Sequence, residues 1–186
     1  MSENNIELAD IALMRADGSA TSLKAYRGKV VMIVNVASKC GLTPQYEGLE
    51  QLYRDRRDAG LEVLAFPTGN FREQEFDTDA EIAQFCSVNY GVTFPLFSRI
   101  SVAGPDQHPL YAGITQAYPE ANAAGEFREM MSKHGLSLAA APGVLWNFEK
   151  FLISRQGEVA GRFAPHIGAQ DPRLLKAIDA ELAGAK

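Results

Sequence analysis

Cysteine is scarce in this chain of 186 residues, with only Cys40 and Cys86. Two thiols are too few for a disulfide scaffold or for a zinc site of the cysteine type. The three histidines, His108, His134 and His166, lie far apart and none is paired at i, i+3 or i+4, so no metal is expected. Long hydrophobic runs are missing too: the longest, Val30–Val36, is about a third of a membrane span. No Lys/Arg cluster occurs and the net charge is −5, which excludes a nucleic-acid partner. The opening Met1-Ser-Glu-Asn-Asn-Ile-Glu7 has neither a basic start nor an apolar stretch behind it, and does not read as a secretory signal. The expected location is therefore the cytoplasm, where two reduced thiols become candidates for redox or nucleophilic chemistry.

What is present reads as an ordinary folded chain. With 46% apolar and 22% charged residues, disordered and fibrous classes drop out. No repeat, linker or composition break divides residues 1–186, which predicts one domain. Ile11 to Met14, the turn Ala16-Asp-Gly-Ser19 and a return toward Leu23 predict an N-terminal β-hairpin. Val30–Val36 is a continuous, β-branched-rich run, as in a strand buried on both faces. Pro44 opens a helix whose apolar side carries Leu49, Leu52 and Tyr53, and Leu61 to Phe66 follows as a parallel strand. A second helix starts at Thr78, with Glu81 completing a capping box, and its inner side carries Ile82, Phe85 and Cys86. A strand is expected over Leu96 to Ile100 and a helix over His108 to Ala117. Tyr118 to Gly143 reads as a long excursion without a core element. Trp146 to Ser154 and Glu158 to Phe163 predict a hairpin, and Pro172 opens a last amphipathic helix. The order fits an α/β sandwich of thioredoxin type, a central mixed sheet flanked by helices, although periodicity alone does not separate it from other small α/β folds.

Cys40 follows the buried strand and precedes the first long helix. A sulfur there faces unpaired backbone N–H groups and the positive end of a helix dipole, with Lys39 adding a cation, and all three favour a thiolate. The third residue beyond it is Thr43, so Cys40-Gly-Leu-Thr43 is not a Cys-x-x-Cys pair and exchange within one loop is closed to it. A lone activated thiol suits attack on an electrophile such as a peroxide oxygen. A small apolar filler is the alternative that position alone leaves open.

Asn35-Val-Ala-Ser-Lys-Cys-Gly-Leu-Thr-Pro-Gln-Tyr46 resembles the peroxidatic motif of the glutathione peroxidase family in its cysteine form. Phe66-Pro-Thr-Gly-Asn-Phe71 with Gln74-Glu75 resembles the second motif, and Trp146-Asn-Phe-Glu-Lys-Phe-Leu152 the third. Tyr90-Gly-Val-Thr-Phe-Pro95 and His108-Pro-Leu-Tyr111 match as well, so the resemblance runs from about Asp10 to the C-terminus. It implies a thioredoxin-like fold and a cofactor-free thiol peroxidase acting on hydrogen peroxide and organic hydroperoxides through a sulfenic acid. It implies Cys40 as nucleophile, with Trp146 and Asn147 supporting it. The family's glutamine in the second motif is Asn70 here, one methylene shorter, and the Cys-Asn before it is Thr68-Gly69. Asn70 loses roughly 1.5 Å of reach, the length of one C–C bond. The loop then moves in, Gln74 substitutes, or the site is slower.

The sulfenic acid must be reduced, either by an external thiol such as glutathione or by a second cysteine whose disulfide thioredoxin opens. Cys86 is the internal candidate, one residue earlier on its helix than in relatives with a resolving cysteine, and on a face that also suits a buried structural thiol. Two other functions share the fold: a peroxide sensor or thiol–disulfide relay, and a non-catalytic ligand-binding module. Phe127, Met130, Met131 and Leu136 in the excursion are candidate contacts for a homo-oligomer.

Overall fold

The computed structural model describes residues 7–184, so most of the opening segment read for a signal lies outside the described residues. Its centre is β3 (Val30–Val36), buried at every position. Side chains alternate across a strand, so Val30, Met32, Val34 and Val36 enter one core while Val31 and Ile33 enter another. On the first face pack α1 (Gln45–Arg56), α2 (Asp79–Tyr90) and α5 (Pro172–Leu182), through residues such as Leu49, Ile82 and Leu174. On the second pack α3 (Pro109–Ala117) and the hairpin of β1 (Leu13–Met14) and β2 (Ala20–Thr21). A strand buried on both faces needs the uninterrupted apolar run seen in the sequence.

Four strands form the main sheet in the order β4-β3-β5-β6. β4 (Leu61–Pro67) is parallel to β3, while β5 (Lys150–Ile153) and β6 (Val159–Phe163) extend the sheet antiparallel. This is the thioredoxin-like arrangement. Val36 pairs with Pro67, and Val34 with Lys150. The loops after β3 and β4 and the segment entering β5 therefore leave the sheet at the same end. No helix among the described residues is long and apolar enough to cross a membrane.

Three expectations differ from the structure. Leu96 to Ile100 forms only isolated bridges, Leu96 with Ala65 and Phe97 with Arg15, because its backbone bonds are divided between β4 and the N-terminal hairpin: Phe97 N–H goes to Ala65 and Ser98 N–H to Met14. Trp146 to Glu149 is a turn rather than strand, with Phe148 at φ 68°, and β5 begins only at Lys150. The segment 118–143 carries α4 (Ala124–Ser132), and its Phe127 is 1% exposed, taken up by the protein's own core. Met131 is partly buried against that core, and Met130 is 45% exposed.

Arg162 organises this segment. Its side chain, 1% exposed, bonds Glu149 Oε1 at 2.9 Å and donates to the carbonyls of Tyr118, Pro119 and Gly143. Glu149 Oε2 accepts the Leu145 N–H at 2.9 Å, so one buried ion pair ties the excursion to the Trp146 turn. Lys150 is fully buried beside it and donates to Gln45 Oε1 at 2.6 Å and the Pro165 carbonyl at 3.0 Å. Burial pulls its ammonium down to about 7, although Glu149 and Asp171 oppose this.

Breaking a buried pair strands a charge, so Arg162→Met should cost about 3–5 kcal/mol in urea unfolding, and adding Glu149→Leu should recover part of it. A loss below 1 kcal/mol would show that the pair does not hold this region. Lys150 predicts a pH dependence. Its folded value lies below that of the free side chain, so the unfolded chain binds more protons above pH 7. Stability should therefore rise from pH 7 toward 9, by up to about 1.4 kcal/mol per unit, and Lys150→Met should flatten that slope.

Candidate active site

The three sequence motifs meet at the end of the sheet where β3 and β4 finish and β5 begins. Asn35, wholly buried near the end of β3, donates from Nδ2 to the Trp146 carbonyl at 3.0 Å, and its own carbonyl accepts the Phe148 N–H at 2.6 Å. These two bonds fasten the third motif to the strand that leads into Cys40. A left-handed φ strains a phenylalanine, but Phe148 is fully buried and meets Tyr46 edge-on at 5.4 Å, which holds it there.

Cys40 is 9% exposed. Its N–H donates to Thr43 Oγ1 at 2.9 Å, and the Thr43 hydroxyl donates to the Ala37 carbonyl at 2.8 Å, so one side chain braces the whole loop. The residue that breaks the Cys-x-x-Cys pattern is thus the loop's clamp, legible in sequence only as a Thr three positions past the cysteine. The expected cluster of free N–H groups is largely spent within the loop itself. Those of Thr43, Gln45, Tyr46 and Glu47 bond the carbonyls of Cys40, Leu42, Thr43 and Pro44, while the Leu42 N–H donates to the Cys40 sulfur at 3.4 Å. The Lys39 ammonium lies 4.4 Å over the Phe76 ring.

Asn70 and Gln74 go separate ways. The Asn70 carboxamide is committed to the 101–102 loop: Nδ2 donates to Ser101 Oγ at 3.1 Å, and Oδ1 accepts the Val102 N–H at 2.7 Å and the Thr68 hydroxyl at 2.6 Å. Gly69 before it lets the exposed Arg99 guanidinium lie close over the turn, since a Cβ there would fall 1.9 Å from it and the arginine would swing aside. Gln74 stands by the cysteine loop. Its carbonyl accepts the Lys39 N–H at 2.8 Å, and its Oε1 accepts Asn147 Nδ2 at 3.1 Å. Asn147 is fully buried, and its Oδ1 finds no partner among the described residues. Trp146 packs at 5.3 Å on Phe71 and against the core cluster that contains Cys40. The structure therefore brings together Cys40, Gln74, Trp146 and Asn147, and places Asn70 on the neighbouring loop.

Cys86 lies in the same core cluster, on the inner side of α2 and 2% exposed. Burial pushes its thiol up to about 11, against the pull of the Tyr46 hydroxyl. Both cysteines are free. Sequence reasoning named Glu75 within the second motif but gave it no role; it is 3% exposed, and its Oε1 accepts the Ser38 N–H at 3.1 Å and the Phe76 N–H at 2.9 Å. No spacing rule marks such a carboxylate; only the fold buries it. Among the described residues there is no group of three or more His, Cys, Asp or Glu able to hold a metal.

Comparison with known proteins agrees with this geometry. A family model, glutathione peroxidase, matches residues 8–115. The chain is 46% identical over 170 residues to thioredoxin/glutathione peroxidase BtuE of Escherichia coli (strain K12), covering 90% of this chain and 92% of that one. It is 46% identical over 147 residues to hydroperoxy fatty acid reductase gpx1 of Synechocystis sp., covering 79% and 80%. The apo crystal structure of Trgpx superposes with a TM-score of 0.69 at 31% identity, covering 98% of this chain and 99% of that one. With its three motifs gathered at one end of a thioredoxin-like sheet, the chain belongs to the glutathione peroxidase family.

Proposed function

We propose that this protein is a thiol peroxidase that reduces hydrogen peroxide and organic hydroperoxides at Cys40. The observation that carries the reading is the joining of Gln74 to both the Cys40 loop, through Lys39 N–H, and the Asn147 carboxamide. The Cys40 sulfur attacks one peroxide oxygen, the O–O bond breaks, and a sulfenic acid forms as water or an alcohol leaves. Negative charge develops on the departing oxygen, and amide and indole N–H groups stabilise it without titrating. Trp146, Asn147 and Gln74 supply these donors in our reading. Gln74 takes the part that the family's second-motif glutamine plays, since the Asn70 carboxamide is spent on Ser101 and Val102.

Cys86 is the proposed resolving thiol, and its burial asks that α2 unwind locally, because disulfide Cα atoms must come within about 7 Å. The names of the E. coli and Synechocystis relatives support thioredoxin or glutathione as reductant and hydroperoxy fatty acids among the substrates. The cytoplasm, with its thiol pool, is the compartment in which we place the cycle.

Peroxide consumption with a thioredoxin system should fall to background in Cys40→Ser. Cys86→Ser should lose thioredoxin-linked turnover while its Cys40 is still oxidised. Gln74→Ala should slow Cys40 oxidation by about a hundredfold, the usual cost of removing one such donor, and Asn70→Ala should cost much less. The reverse order for Gln74 and Asn70 would contradict the assignment.

A further inference from the structure

Beneath the Cys40 loop lies a buried set of groups that the peroxide step does not use. Glu75 leaves the loop after β4, Tyr46 belongs to the first turn of α1, and Cys86 faces inward from α2. Each is almost wholly buried. The Tyr46 hydroxyl lies beside the Cys86 thiol yet has no ordinary hydrogen-bond partner, and Glu75 Oε2 has none either. Unpartnered buried oxygens cost stability, since each forfeits its hydration. A chain that retains them invites a use for them.

The charges within this set are coupled. Cys86 and Glu75 repel one another when both are ionised, so the pocket holds one negative charge more easily than two. Burial pushes Glu75 up, while the N–H bonds from Ser38 and Phe76 and the Arg99 guanidinium hold its anion. Tyr46 is pushed far up by burial and by Cys86 and Glu75, so it stays protonated. The groups acting on Glu75 and Cys86 are therefore Tyr46 from α1, the Ser38 and Phe76 N–H groups, and Arg99.

We infer that Glu75 is the proton acceptor for Cys86 in the resolving step, and that its bond to the Ser38 N–H couples this proton to release of the Cys40 loop. The inference rests on the reading of Cys86 as the resolving thiol. Cys86–SH attacks the sulfur of Cys40–SOH; the S–S bond forms and the S–O bond breaks. The Cys86 sulfur is oxidised and the Cys40 sulfur reduced. The thiol proton passes to Glu75 and then to the departing hydroxide, which leaves as water. While Glu75 is protonated, its Oε1 is a weaker acceptor for Ser38, two residues before Cys40, and the loop is loosened as the two sulfurs must approach.

The test separates the two chemical steps in the full-length protein. After hydrogen peroxide is added, quenched samples are assayed by mass spectrometry for dimedone-trapped Cys40 sulfenic acid and for the Cys40–Cys86 disulfide. In Glu75→Gln, which keeps size and an acceptor oxygen, disulfide formation should slow by about a hundredfold relative to Cys40 oxidation, the usual worth of a general base. Its rate should then climb with pH toward the Cys86 range near 11, and Glu75→Asp should restore part of the loss. Disulfide formation at the wild-type rate, or an equal slowing of both steps, would overturn the role of Glu75 while leaving Cys86 as the resolving thiol. Should the wild type form no Cys40–Cys86 disulfide, the two-cysteine cycle falls and the role of Glu75 with it.

Discussion

The site depends on one small polar residue buried at the end of a strand. Asn35 holds the Trp146 carbonyl with its side chain and the Phe148 N–H with its backbone. Without those bonds the third motif would have no fixed height above the sheet, and Asn147 would not meet Gln74. Asn35 is wholly buried, and a missing partner there costs more than a bond at the surface earns. The Glu149–Arg162 pair holds the same turn from its other side, through the Leu145 N–H. The turn is clamped between a strand end and a buried ion pair, and Phe148 is kept in its strained conformation between them.

This clamping explains how a short chain presents neutral donors with little freedom. Asn147 is wholly buried and oriented by Gln74, Gln74 is anchored by the Lys39 N–H, and Cys40 is anchored by Thr43. Each group that we propose faces the peroxide is positioned by a neighbour already held in place. Preorganised donors stabilise developing charge because they need not reorient when it appears. The departure from the family at Thr68-Gly69-Asn70 is absorbed locally: Gly69 admits Arg99, and Asn70 closes the 101–102 loop.

Much of this was legible in the residues. The two-faced burial of β3 followed from its unbroken apolar run, and the Thr78 cap is seen in the Glu81 N–H that its hydroxyl accepts. The chemistry-bearing motifs came from a family pattern rather than from periodicity. What stayed hidden depends on contacts far apart in sequence. Nothing in Phe-Glu-Lys-Phe says that Glu149 pairs with Arg162, or that Lys150 reaches Gln45, since those partners lie 13 and 105 positions away. Trp146 read as strand because its neighbours alternate, and only the bonds to Asn35 show why the chain turns there instead. The sulfur's surroundings differed for a local reason, as tight backbone bonds between residues 40 and 47 consume N–H groups that a bare helix end would leave open.

Trp146 is the chain's sole tryptophan and packs against the cluster that holds Cys40, so its emission reports on that sulfur without a label. Mixing the reduced protein with hydrogen peroxide in a stopped-flow instrument should give a fluorescence change whose rate rises linearly with peroxide. The change should be absent in Cys40→Ser. Peroxide consumption with Cys40 left unoxidised, or the same fluorescence change in the serine variant, would contradict the placement of peroxide chemistry at this site.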